Sequence, residues 1–444
     1  MKFNLLIGSA LLVAALPSAA LAEPVLLISI HGLQPDDVIQ AEERGIYIPN
    51  LKRFITQGSY AQGVRGILPT VTYPSHATLI TGVSASRHGI VSNNSFDPLQ
   101  INQGGWYCYA SDFKVPTLWD VAAKAGLTTA NVHWPVSVNT NAIKWNIPQI
   151  WRTGHSDDVK LVKALATPSL IKSLESQLGE YAPGIDENIE GDENRGRFAT
   201  ALIAREKPYF TTIYLTALDH EQHEQGPDTA AAHAVLKRID AVVGKIIAAQ
   251  LVARPDSFIA VVSDHGFSKV DTEVNLYRAF IDAGLIVLDA NGKIKDWEAS
   301  PWNSGGSSAI VLKRPSNPAL RARVSELLEQ LKADPKNGIA QIATTSEIAG
   351  YGANPQASFY VGFAPNAYAG NFKGAAAPLV SPSGSKGMHG YFPDMPFMRS
   401  SFMIMGASVQ KGRNLDEIDM RAIAPTLAKA MRLTLPDAEV PAIK

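Results

Sequence analysis

With 444 residues, 46% of them hydrophobic and 18% charged, the chain can bury a sizeable core, as one large α/β domain with insertions or as two domains. A formal net charge of −1 leaves no electrostatic footprint for a nucleic-acid duplex. Cys108 is the only cysteine, so an internal disulfide is excluded and stability must come from the core and from bound groups.

The first 22 residues read as a secretory signal. Lys2 supplies the charged start, Leu5–Leu16 the apolar run, and Ala20-Leu21-Ala22 a small-x-small cleavage site before Glu23. The run is short for a membrane span and stops at Pro17. The expected location is periplasmic or secreted, with no membrane span later in the chain.

Val25–Ile30 is a short, nearly unbroken apolar run, the mark of a strand buried on both faces of a parallel sheet. It ends at His31-Gly32. A helix is expected over Pro49–Gln57. Then comes Leu68–Ile90, LPTVTYPSHATLITGVSASRHGI, in which Ala77, Leu79 and Ile80 have helical spacing and Pro74 suits a first turn. Thr72 therefore falls at or just before a helix N-terminus, where an anionic oxygen is favoured. An ordinary Thr N-cap would read the same way. A turn-rich stretch, Gly89–Asp97, holds Asn93 and Asn94.

Thr117–Ala125 predicts an amphipathic helix, Leu127–Val132 a strand, and residues 139–152 an irregular stretch. Helices are expected over Leu161–Leu178, Arg197–Glu206 and Thr229–Leu251, with buried strands at Tyr209–Leu215 and Phe258–Ser263. This alternation predicts an α/β fold with a doubly wound, mostly parallel sheet flanked by helices, working residues gathering at the carboxyl ends of strands. From 275 to 384, turns rich in Gly, Ser, Pro and Asn surround one helix, Pro318–Ala333, and short strands near Ala309–Leu312 and Phe359–Gly362. We read this stretch as an inserted cap region. Residues 23–274 and 385–444 then form the main domain, closed by a strand at Ser401–Met405 and a helix at Met420–Met431.

Three further stretches carry metal-ligating residue types at turns or strand ends. Asp219 and His223, four apart after one buried strand, share a helical face. Asp264 and His265 end another strand, and an adjacent pair at a sharp strand end can reach one ion. His389 sits in a Gly-flanked turn. Each pattern is weak alone; four such stretches in one chain are not.

The sequence resembles the nucleotide pyrophosphatase/phosphodiesterases of the alkaline phosphatase superfamily. PTVTYPSHATLITG…SRHGI resembles their nucleophile segment, and LDHEQHEQGP, VVSDHGF and GMHGYFPDMPFM resemble their metal motifs, in order along nearly the whole chain. The resemblance implies two Zn2+. Thr72 would be nucleophile and ligand of one, with Asp264 and His265; Asp219, His223 and His389 would hold the other. Asn93 would bind a non-bridging phosphoryl oxygen. The chemistry is self-consistent: two zinc ions about 4 Å apart can clamp the attacking and leaving oxygens of an in-line displacement. Activation of Thr72 would give a phosphothreonine intermediate that water cleaves.

One position departs from the pattern. Where the family has Asp before Gly at the end of the first strand, this chain has His31. Imidazole can ligate zinc, so His31 is expected to point into the site, binding zinc or a zinc ligand, while the site loses one negative charge. The expected activity is zinc-dependent hydrolysis of small phosphodiester or nucleotide substrates. The alternatives are a phosphomonoesterase or phosphonate hydrolase of the same superfamily, or a weakly active metal- or phosphate-ester-binding member because of His31.

Overall fold

Val25–Ile30 forms β1, the centre of the molecule, and every residue in it is buried. Leu26, Ile28 and Ile30 enter one apolar cluster and Val25 and Leu27 another, so the strand's two-residue period feeds a core on each side of the sheet. At about 1.5–3 kcal/mol per fully buried aliphatic side chain, this double burial makes β1 costly to disturb.

The computed structural model describes residues 22–102, 105–151, 157–182 and 187–444. Apart from Ala22, the expected signal lies outside the described residues. Among the described residues no helix is long and apolar enough to cross a membrane.

The main sheet has eight strands. In chain order they are β1, β2 (Ser59–Tyr60), β3 (Thr129–Val132), β4 (Trp145–Ile147), β5 (Phe210–Leu215), β6 (Phe258–Val262), β7 (Phe402–Met405) and β8 (Arg413–Asn414). The spatial order is β8-β2-β7-β6-β1-β5-β3-β4. From β6 to β4 the strands run parallel, and β7 runs antiparallel to β6 and β2. Helices cover both faces: α1 (Pro49–Gln57), α4 (Ile189–Glu206) and α6 (Ala230–Ala253) on one, α2 (Thr72–Thr81), α3 (Leu118–Lys124) and α7 (Ile423–Ala430) on the other. Helix α5 (Ala217–Gln225) follows β5 directly.

Several elements differ from expectation. The single helix over Leu161–Leu178 is two, Asp158–Leu165 and Leu170–Leu178, because Pro168 cannot continue a helix. Helix α4 begins eight residues before Arg197, since its first half buries polar side chains that find partners in one another and in neighbouring segments. Trp145–Ile147, placed in an irregular stretch, pairs as edge strand β4. Between Asn275 and Gly384 the chain is more ordered than its turns suggest. It holds a four-stranded antiparallel sheet spanning Ala299–Asn303, Ser307–Leu312, Ile339–Thr344 and Ala357–Phe363.

Candidate active site and metal centre

The carboxyl ends of β1, β5 and β6 deliver His31, α5 with Asp219 and His223, and Asp264 with His265 to one basin. Gly32 makes this possible on the first strand. It turns the chain at φ +66°, and a Cβ there would press on Gln222 Nε2 and the Phe267 ring. His389 arrives from the turn before β7, and Gly390 beside it lies too close to Ser304 O for any side chain. Single ligand atoms of His31, Asp219, His265 and His389 lie within 4.8 Å of one another, all four residues buried.

Thr72 enters from the opposite side. Val71 caps α2, so Thr72 is its first helical residue, buried, with Oγ1 3.1 Å from His31 Nε2. Its backbone is pinned: His76 Nδ1–H donates to Thr72 O at 2.8 Å while Ser29 of β1 bonds His76 Nε2 at 2.9 Å. Asn93 sits beside it. The Tyr73 N–H donates to Asn93 Oδ1 at 2.9 Å, which leaves the amide NH2 of Asn93 for the cavity it lines.

Helix α5 is itself capped from a neighbouring helix. Asp192 of α4 accepts the Thr216 and Ala217 N–H groups at 2.9 Å each, satisfying two orphan donors of the first turn. Arg195 grips Asp192 and Thr216 Oγ1, and its Nη1 faces His133 Nε2. This buried network fixes where Asp219 and His223 stand.

The basin has the signature of a cation site. Asp219 Oδ1, Asp264 Oδ2 and His265 Nε2 are buried without a hydrogen-bond partner, an arrangement too costly to keep unless something else satisfies it. Burial pushes the Asp264 carboxyl up to about 8 and raises Asp219, with Asp264 adding repulsion. Burial likewise lowers His31, His265 and His389, and takes His223 down to about 4. Burial thus disfavours the charged form of the imidazoles and of the carboxyls alike. His265 and His389 even stack, 3.6 Å between ring centroids.

The spacings also suit zinc, whose tetrahedral ligands at about 2.0–2.1 Å stand roughly 3.3 Å apart. His31 Nε2 is 3.1 Å from Thr72 Oγ1 and 3.4 Å from Asp264 Oδ2, and Asp264 Oδ2 is 3.3 Å from His265 Nε2. His223 Nε2 lies 3.4 Å from Asp219 Oδ2, and His389 Nε2 3.7 Å from Asp219 Oδ1. Asp219 Oδ1 is 3.2 Å from His31 Nε2, so this carboxyl stands between the two groups.

A cavity of about 260 Å3 opens over the basin, with Tyr73, Trp106, Trp151, Gln149 and Glu187 in its walls. Trp106 packs on Tyr73 at 5.1 Å. Tyr109 is exposed, and Tyr107 does not line the cavity. A second cavity of about 490 Å3, partly walled by Pro301–Gly305, shares Asn93, Trp106 and His389 with the first. His88 is a packing residue bonded to Thr78, and Lys386 meets His223 through its backbone.

Sequence reasoning missed Tyr214, Gln149, Glu187 and the Asp192–Arg195 pair. Glu187 receives a 3.2 Å bond from Gln149, and burial pushes its carboxyl up to about 7. The available signals were a lone Tyr inside the apolar strand β5 and the polar run GDENRG in a helix.

A sequence model of the type I phosphodiesterase / nucleotide pyrophosphatase family matches residues 25–366. Ectonucleotide pyrophosphatase/phosphodiesterase family member 3 of Rattus norvegicus is 24% identical over 262 residues, 56% of this chain and 25% of its own. The bis(5'-adenosyl)-triphosphatase ENPP4 of Bos taurus is 25% identical over 265 residues, 58% of this chain and 51% of its own. The alignments thus span about a quarter to a half of these relatives. Human ectonucleotide pyrophosphatase/phosphodiesterase 5 superposes with a TM-score of 0.65 at 19% identity, covering 93% of this chain and 96% of its own. An inactive form of its murine counterpart, solved in complex with AMP, gives 0.64 at 18% identity, covering 95% and 96%. These structural likenesses are likenesses of fold. With the family match running through most of the chain, they lead to one conclusion: the protein belongs to the type I phosphodiesterase / nucleotide pyrophosphatase family.

Proposed function

We propose that this protein hydrolyses phosphodiester or pyrophosphate bonds in small, nucleotide-type substrates, with Thr72 as nucleophile and two Zn2+ in the basin. The observation that carries the reading is the Thr72 hydroxyl, held at a helix N-terminus against a cluster of buried, unpartnered carboxyl and imidazole atoms. Thr72, His31, Asp264 and His265 would hold one ion and Asp219, His223 and His389 the other. Such ions supply Lewis-acid stabilisation of charge on phosphoryl oxygens and lower the pKa of bound hydroxyls and water.

The chain's own groups do the rest. Thr72 Oγ1 gives its proton to solvent water and attacks phosphorus; the bond to the leaving alcohol or phosphate breaks, and the departing oxygen takes a proton from water. A water then attacks the Thr72 phosphoester, releasing the second product and restoring the hydroxyl. Asn93 Nδ2 donates to a non-bridging oxygen, held in place by the bond between its Oδ1 and the Tyr73 N–H. Tyr73, Trp106 and Trp151 offer aromatic faces to the group on the far side of the phosphorus.

No Lys or Arg is among the described residues lining this cavity. A monoester's third anionic oxygen would lack a cationic partner, so diesters are favoured. Side-by-side kinetics on an aryl phosphodiester and the matching monoester, with zinc supplied, test the reading. A higher kcat/KM for the diester is expected; a higher value for the monoester would point instead to a phosphomonoesterase.

A further inference from the structure

An imidazole binds a cation only through an unprotonated ring nitrogen, so the group that keeps the proton on the other nitrogen decides where the lone pair points. For three rings in the basin that group is a backbone carbonyl. His223 Nδ1 faces Gly387 O at 2.9 Å, His265 Nδ1 faces Gly266 O at 3.1 Å, and His389 Nδ1 faces Thr70 O at 3.3 Å. His31 is held differently. Its Nδ1 lies 2.6 Å from the Tyr214 hydroxyl, a side-chain partner from the neighbouring strand.

We propose that Tyr214 is a positioning residue for the metal centre: its phenolic oxygen accepts the Nδ1 proton of His31 and so turns the Nε2 lone pair toward the cation. The inference rests on the metal reading above. It adds that the imidazole at position 31, where the family pattern has a carboxylate, works as a ligand through its phenol partner.

The surroundings suit that task. Tyr214 is fully buried in β5, and its Cα pairs with Ser29 two residues before His31. Its ring is wedged against His76 with 4.4 Å between centroids, and it stacks with His133 at 6.1 Å. The hydroxyl therefore has little freedom to leave Nδ1. On the other edge of the imidazole, Nε2 meets Thr72 Oγ1, Asp219 Oδ1 and Asp264 Oδ2 at 3.1–3.4 Å. A carboxylate at position 31 has no tautomer to set, so the contribution of Tyr214 should depend on His31 being present.

The test is a cycle of wild type, Tyr214→Phe, His31→Asp and the double variant. Each is stripped and reloaded with zinc, its stoichiometry measured by elemental analysis and its affinities by competition with a chromophoric chelator. Loss of an outer partner of a metal-bound histidine typically costs about 10–100-fold in affinity. Tyr214→Phe is expected to weaken one of the two zinc positions by that factor and spare the other. In the His31→Asp background the same change should leave both affinities within about twofold. Equal losses in both backgrounds would mean that Tyr214 acts by packing, and unchanged affinities in both would mean that it does not act; either overturns the inference and leaves the metal reading standing. A wild-type chain that binds no zinc would overturn both.

Discussion

Helix α5 starts in one buried polar cluster and carries its side chains into another, and the two differ in what completes them. At its start Asp192 and Arg195 pair within α4, and Asp192 caps Thr216 and Ala217. Protein groups meet the charge there. One turn later, Asp219 projects into a basin where it shares burial with Asp264 and imidazoles, and buried polar atoms stand without partners. Burial alone therefore does not distinguish a structural cluster from a working one. The distinction lies in whether the protein satisfies its own polar groups or leaves them for something else.

The largest effect expected from disturbing the basin is on chemistry. Thr72→Ala should lower kcat toward an aryl phosphodiester by about three orders of magnitude or more while zinc content changes little. Thr70→Ala should be far milder, because the Thr70 hydroxyl already bonds Tyr391 O. Near wild-type turnover in Thr72→Ala would remove the basin's claim to be the working cluster.

Arg195→Met strands Asp192 as a buried charge and should cost about 3–5 kcal/mol, read as a fall in denaturant midpoint. Asp264→Asn should do the reverse in metal-free protein, leaving stability equal or higher, since it removes a buried acid whose Oδ2 has no hydrogen-bond partner, while the amide oxygen can still accept the Gly32 N–H. Equal destabilisation by both would mean that the clusters are alike.

Zinc sharpens the contrast. At about 100 times its Kd, zinc should stabilise the wild-type chain by about 2.7 kcal/mol per ion bound only to the folded state. Calorimetry of stripped and reloaded protein reads this as a rise in Tm, and the rise should persist in Arg195→Met but shrink in Asp264→Asn.

The smallest effect expected is at His31. Restoring a carboxylate with His31→Asp should tighten one zinc position by about tenfold, or about 1.4 kcal/mol, and raise turnover. Unchanged metal content and rate would mean that His31 is no part of the centre.

The sheet was legible because β1 and β6 are apolar runs bounded by turns, a pattern that burial on both faces imposes. The candidate site segments stood out because Asp219/His223, Asp264/His265 and His389 combine chemistry-bearing types with strand ends and Gly turns, and the structure brings these side chains to one basin. Polar groups satisfied from afar were not legible. Helix α4 shows no apolar stripe in its first half because, beside Ile189 and two glycines, its buried residues there are Asp192, Asn194 and Arg195, and their partners Thr216 and Ala182 lie on other segments. Tyr214 was not legible for the same reason: its partner, His31, lies just past the end of β1.

Attack of Thr72 on phosphorus at a zinc-loaded basin can be trapped by acid-quenching the zinc-loaded protein during turnover of an aryl phosphodiester and mapping covalent phosphoester by peptide mass spectrometry. A covalent phosphoester that retains the substrate's second ester group is expected on Thr72 and absent from Thr72→Ala. Turnover with no covalent adduct, or with an adduct on another residue such as Thr70, would contradict it.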